Sequence, residues 1–140
     1  MGQTTKEYKL VLSSEVENVE KVEELTERVT RSMKFDDDEC GTIAIAVTEA
    51  FNNAVIHGNK RDASKKVQLS MFADPAAFRV VIKDEGGGFD PDGIPDPLDP
   101  ENLLKESGRG VFILKSLMDE VLFDFDGTGT TVTLVKSRTT

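Results

Sequence analysis

The residues best equipped for chemistry lie close together in an apolar stretch. Glu49, Asn52 and Asn53 interrupt AIAVTEAFNNAVIHG, residues 44–58. The stretch reads as a helix buried nearly all round. A carboxylate and two amides inside it need partners, because burying polar groups without hydrogen bonds is costly. Glu49 and Asn53 are four residues apart and so stand one turn above the other, with Asn52 on nearly the same face. A divalent cation would account for the set. Magnesium prefers oxygen ligands, takes one or two from protein, and keeps waters and substrate phosphates. The Asn53 amide oxygen is such a metal ligand, and Glu49 is placed to orient or deprotonate a water or hydroxyl. A buried polar network, or a face turned toward another protein, would account for it equally.

Three further stretches carry candidate chemistry. In VVIKDEGGGFD a strand runs into Asp84 and three glycines. A carboxylate at a strand end can accept from an amino group such as the exocyclic amine of adenine, and glycines let a ligand approach the backbone. The alternative is an ordinary Asp-Glu-Gly turn. In SGRGVFILKSLMDEV, Gly108 and Gly110 mark a loop becoming a helix, whose N-terminus suits an anion, and Arg109 adds a phosphate donor. The alternative is a plain helix start with Arg109 solvated. Lys60 and Lys105 are further sources of positive charge. In DGTGTTVTL the hydroxyl of Thr130, after Gly129, is placed to reach a base or a bridging water; by itself the stretch says only hairpin.

These residues need a scaffold, and the patterning supplies one. EYKLVLSS alternates as a first strand. Ser14 and Glu17 form an S-x-x-E capping box that predicts a helix from about residue 15 to 33, with Val16, Val19, Val22, Val29 and Met33 on its apolar stripe. The acidic run from Asp36 to Glu39 caps a second helix, striped by Ile43, Val47, Ala50 and Ala54, with Gly58 as its C-terminal stop. Two strands meet at Asp74-Pro75. A long loop follows, in which four of the five prolines lie between 91 and 100; a loop of this length in so small a domain reads as a lid. A helix and two strands joined through DGTG complete the chain. The order predicts an α/β (α+β) two-layer sandwich, with a mixed, mostly antiparallel sheet and helices on one face.

The chain has 140 residues, 38% hydrophobic and 31% charged, which suits a single domain spanning 1–140. It has no apolar run of the ~18 residues a membrane helix needs. Cys40 and His57 are each the only residue of their kind, which excludes an internal disulfide and a Cys/His metal cage and fits a cytoplasmic setting. His57 reads as structural, at a helix C-terminus that favours positive charge. The net charge of -9 argues against direct nucleic-acid binding, which needs a basic face. It also means that an anionic ligand must be offset locally. A metal helix, a carboxylate that reads adenine, a lid and a phosphate-binding helix tip, in that order, account for every part of Mg-ATP.

The same residues resemble the three boxes of the gyrase, Hsp90, histidine-kinase and MutL (GHKL) ATPase superfamily. Glu49-x-x-x-Asn53 resembles the N box, Asp84-x-Gly86-x-Gly88 the G1 box, and Gly108-x-Gly110 the G2 box. The resemblance covers roughly residues 7 to 136. EAFNNAVIHG, SGRGVFILKSLMDEV and GTTVTL are most similar to the branch of bacterial anti-sigma factors with serine/threonine kinase activity. It implies a Bergerat-type ATP-binding fold and ATP with Mg2+ as cofactors. Asn53 would ligate the metal and Glu49 would be the general base. Asp84 would bind the adenine amine with Thr130 nearby, Gly86 and Gly88 would shape the pocket, and Gly108, Arg109 and Gly110 would meet the phosphates as a lid at about 89–107 closes. The implied partners are a sigma factor and a STAS-domain anti-anti-sigma protein, in a homodimer with no membrane association. The chain departs from the pattern at Glu106, near where a basic residue reaching the terminal phosphate is expected. The alternative is therefore a nucleotide-dependent switch that binds protein without phosphoryl transfer.

Overall fold

The computed structural model describes residues 5–60, 62–85, 113–125 and 129–138. Five strands form one sheet: β1 (Lys6–Ser13), β2 (Lys66–Ala73), β3 (Ala77–Lys83), β4 (Glu120–Phe125) and β5 (Thr130–Ser137), in the spatial order β1-β2-β3-β5-β4. Each of the four pairings is antiparallel. Helices α1 (Val19–Ser32) and α2 (Asp37–Asn53) supply the other layer. The two-layer sandwich is the one that the patterning predicts.

Period-two alternation explains the sheet's two faces. Paired rows such as Leu12–Val67 and Leu69–Ile82 are buried, as are Met71, Val80 and Leu134. The intervening residues, including Val11, Gln68 and Arg79, face out and are exposed. From the helical layer Val22, Val29, Ile43, Val47 and Phe51 meet the buried rows, and all five are fully buried. Residues 113–117 are helical, with Leu114 in the same core. Among the described residues no helix is long and apolar enough to cross a membrane. At the turn between β2 and β3 the Asp74 carboxylate accepts from Ala76 N at 2.9 Å and from the Thr5 hydroxyl at 2.8 Å. These two bonds, the Ala76 bond first, lower its pKa below the ordinary value.

Helix entry differs from expectation at one end and agrees at the other. Ser14 and Glu17 do not form a capping box. The chain enters α1 through a 3-10 turn, Val16–Asn18, which has no side-chain cap. Ser14 is instead buried where its N–H donates to Lys65 O at 3.0 Å, and its hydroxyl has no partner among the described residues. Asn18 Nδ2 donates back to Ser13 O at 2.9 Å. Tertiary pairing has overridden a local signal here. At α2 the box is complete: Asp36 Oδ1 accepts from Glu39 N at 2.8 Å, and Asp36 N donates to Glu39 Oε1 at 3.3 Å.

The turn between the helices carries a residue in an unusual conformation. Lys34 has φ 65°, its N–H donates to Arg31 O at 2.9 Å, and Phe35 N donates to Thr30 O at 3.2 Å. This is the paired closure that usually employs glycine at the left-handed position.

Helix α2 is not buried all round. Ile45 is 56% exposed, Gly41 is exposed, and Glu49, Asn52 and Asn53 are half-buried along the outer side. A Cβ built on Gly41 would meet nothing within 4 Å. Glycine in a helix interior is destabilising by roughly 0.5–1 kcal/mol relative to alanine, so Gly41→Ala should stabilise the protein by about that amount. Urea unfolding should show a higher midpoint with an unchanged slope. An unchanged or lower midpoint would mean that this side of α2 is not free space.

Candidate functional site

The last turns of α2 and the end of β3 form one constellation. Glu49 and Asn53 lie one helical turn apart within α2, and Asn53 is its final residue. No described residue bonds to the Glu49 carboxylate or to the side-chain amides of Asn52 and Asn53. Half-buried oxygens without partners among the described residues fit a hard cation that takes few ligands from the chain. Among the described residues no three acidic, Cys or His side chains gather into a cage. A metal here would therefore be held jointly with phosphates and water, with Asn53 as the candidate ligand.

Beyond Asn53 the helix widens into a π turn, Ala54–Gly58, closed by Asn59 N donating to Ala54 O at 2.8 Å. π turns inside helices recur at functional sites. Gly58 is not the left-handed stop that its sequence suggests, since it lies within this turn. Its role is contact. A Cβ there would lie 2.0 Å from Asp84 Oδ2 and 2.4 Å from Asp84 Cγ. Only a bare Cα lets the Asp84 carboxylate sit against the helix end.

Asp84 follows β3 directly and is 4% exposed. Its N–H donates to Thr130 O at 3.0 Å, and its Oδ1 accepts from Thr130 N at 2.9 Å. The site thus employs the main chain of Thr130 to orient Asp84. Gly129 closes the other side, where a Cβ would lie 2.1 Å from the Asp84 carbonyl oxygen. An ionised carboxylate has about four acceptor sites, so it can accept from several donors at once. The structure therefore brings Asp84 together with Thr130 and, through Gly58, with the end of the helix that carries Glu49 and Asn53.

Gly86, Gly88, Gly108, Arg109 and Gly110 lie outside the described residues, as do Lys105, Glu106 and the lid at about 89–107. His57 is half-buried within the π turn. Sequence reasoning missed Asn59, which is buried and bonded through its main chain and both atoms of its side-chain amide. Its N–H closes the π turn, its Nδ2 donates to Lys66 O at 3.0 Å, and its Oδ1 accepts from Glu85 N at 2.7 Å. An asparagine after His-Gly reads as turn punctuation, and nothing local signals partners at the start of β2 and just past β3.

Comparison with known proteins agrees with this geometry. Residues 12–136 match the histidine kinase-like ATPase domain. The chain is 33% identical over 114 residues to serine-protein kinase RsbW of Bacillus subtilis (strain 168), covering 77% of this chain and 71% of that protein. It is 38% identical over 104 residues to anti-sigma F factor of Bacillus thuringiensis (strain Al Hakam), covering 71% of this chain and 70% of that one. Among solved structures, the histidine kinase domain of the Erythrobacter litoralis EL346 blue-light activated histidine kinase superposes with a TM-score of 0.54 at 28% identity. That match covers 70% of this chain and 44% of the kinase chain, so this chain spans less than half of it. The family match, the two-layer fold and the junction of α2 with Asp84 concur: the chain belongs to the histidine kinase-like ATPase domain family.

Proposed function

We propose that this chain is an ATP-binding anti-sigma regulatory factor with serine/threonine protein kinase activity. It would hold a sigma factor inactive and phosphorylate a STAS-domain anti-anti-sigma protein, acting as a homodimer in the cytoplasm. The observation that carries the nucleotide reading is Asp84, a carboxylate buried at a strand end and oriented by Thr130 N at 2.9 Å. A rigid acceptor in a nearly dry site suits a single amino group, and the exocyclic amine of adenine is the natural donor. The names of the two bacterial relatives support the kinase and anti-sigma roles.

In this reading Asn53 holds magnesium, which neutralises the triphosphate that the net charge of -9 would otherwise repel. Glu49 accepts the proton of the substrate hydroxyl as its oxygen bonds to the γ-phosphorus. The bond from that phosphorus to the β–γ bridging oxygen breaks, and ADP leaves. Gly86 and Gly88 shape the base pocket, while Gly108, Arg109 and Gly110 meet the phosphates. Glu106 favours a second reading, a nucleotide-dependent switch without transfer, because it stands in the sequence near where a basic residue reaching the terminal phosphate is expected, and an acidic one would oppose charge development there.

Calorimetric titration with ATP, with and without magnesium, tests the common ground of both readings. Binding should be tighter than about millimolar, should weaken when magnesium is withheld, and should be lost in Asp84→Asn, whose amide replaces an acceptor by a donor. No heat at millimolar Mg-ATP would overturn the nucleotide reading.

A further inference from the structure

Strands β2 and β3 part in an unusual way beside Asp84. Their register pairs Gln68 with Lys83, so two residues further on Lys66 stands opposite Glu85. An antiparallel ladder would close that pair by Glu85 N–H donating to Lys66 C=O and Lys66 N–H donating to Glu85 C=O. Neither bond is made. Glu85 N donates to Asn59 Oδ1 at 2.7 Å, and Asn59 Nδ2 donates to Lys66 O at 3.0 Å. The amide of Asn59 is inserted into the bond as a surrogate peptide, offering one acceptor and one donor. Lys66 N donates instead to the Glu85 carboxylate, Oε1. A ring of three hydrogen bonds, Asn59 to Lys66 to Glu85 and back, replaces the last rung.

The wedge acts on the peptide that joins Asp84 to Glu85. The nitrogen of that peptide is held by Asn59, and its carbonyl oxygen lies against Gly129. On the other side of the Asp84 Cα, the N–H is held by Thr130 O at 3.0 Å. With both flanking peptides held, the Cα–Cβ direction of Asp84 is set by backbone, and the bond from Thr130 N to Oδ1 at 2.9 Å selects the rotamer. Asn59 is itself 1% exposed and follows the π turn that leads from Asn53.

We infer that Asn59 is a positioning residue for base recognition: its amide wedges β2 from β3 and aims the Asp84 carboxylate at the 6-amino group of a purine. The inference rests on the nucleotide reading above and deepens it, since it assigns selectivity for an aminopurine to a residue that does not touch the ligand. Loss of the wedge lets the strand end close or relax, and the carboxylate moves while the rest of the pocket stays.

The test compares two probes on wild type, Asn59→Ala and Asn59→Ser. One is ATP; the other is purine riboside triphosphate, which has the same ring and phosphates without the amine. Wild type should prefer ATP by about tenfold, the worth of one hydrogen bond to a charged acceptor. Both variants should bring that ratio close to one while their affinity for purine riboside triphosphate stays within about twofold of wild type. Asn59→Ser, the smaller loss, keeps the measurement available should Asn59→Ala not fold. A variant that retains the wild-type ratio, or that weakens both nucleotides equally, overturns the inference and leaves Asn59 a structural residue. Wild type binding both probes equally would remove base reading from Asp84 and the inference with it. Wild type binding neither would overturn the nucleotide reading itself.

Discussion

Glu49→Gln should abolish phosphoryl transfer and leave nucleotide binding intact. The substitution keeps the size and the polar tip of the side chain but removes the group that accepts a proton. General-base catalysis contributes about 10²–10⁴-fold in rate, so transfer from radiolabelled ATP to a candidate antagonist should fall by that much. The affinity for Mg-ATP should stay within about twofold, because Asn53 and Asp84 are unaltered. The position of Glu49 makes the separation clean. It is half-buried on the outer side of α2, and no described residue bonds to it. No structural hydrogen bond among those residues is lost, so the melting temperature should not drop. Normal transfer by the variant would show that Glu49 is not the base. Loss of binding in parallel with transfer would assign it to ligand binding instead. Nucleotide binding without transfer in the wild type, across several candidate antagonists, would favour the switch.

The part of this site that is legible in the sequence is the part built from local rules. The acidic run from Asp36 to Glu39 predicts a cap, and Asp36 and Glu39 supply it, so the start of α2 is readable, and Glu49 and Asn53 follow at helical spacing. Asp84 is readable as a strand end because the alternation of β3 runs out there. What is not legible depends on partners distant in the chain. Ser14 and Glu17 carry a correct cap signal, yet the pairing of Ser14 N with Lys65 O takes the serine away from the helix. Ile45 belongs to an apolar run and still faces outward, since an apolar residue type does not guarantee burial. The π turn continues the same apolar pattern as α2 and leaves no mark in residue type. Asn59 finds its side-chain partners at Lys66 and Glu85, seven and 26 residues away.

Gly58→Ala should damage both the fold and the ligand site, and the two effects share one cause. The added methyl would lie 2.0 Å from Asp84 Oδ2, 2.4 Å from its Cγ and 3.0 Å from its Cβ. Something must move, and neither side yields easily. Asp84 is short, buried and tied to Thr130 through both its N–H and its Oδ1. Gly58 belongs to a π turn closed by the Asn59 to Ala54 bond at 2.8 Å. Overpacking of this kind typically destabilises by about 1–3 kcal/mol, which thermal unfolding would register as a fall of several degrees. If the carboxylate rotates instead, its bond to Thr130 N breaks and the acceptor proposed to meet the base turns away, so ATP affinity should fall at least about tenfold. A double-mutant cycle identifies the clash as the cause. In an Asp84→Ala background the two closest atoms are gone, so Gly58→Ala should lower stability far less there than in wild type, with a coupling of roughly 0.5–3 kcal/mol. Additive effects would mean that the glycine serves the π turn alone. Coupled effects would mean that the end of the helix bearing Asn53 and Asp84, the residue proposed to read the base, are one mechanical unit. A ligand seated against Asp84 would then bear directly on the turn that follows Asn53, so base recognition and metal placement would be set by the same contact.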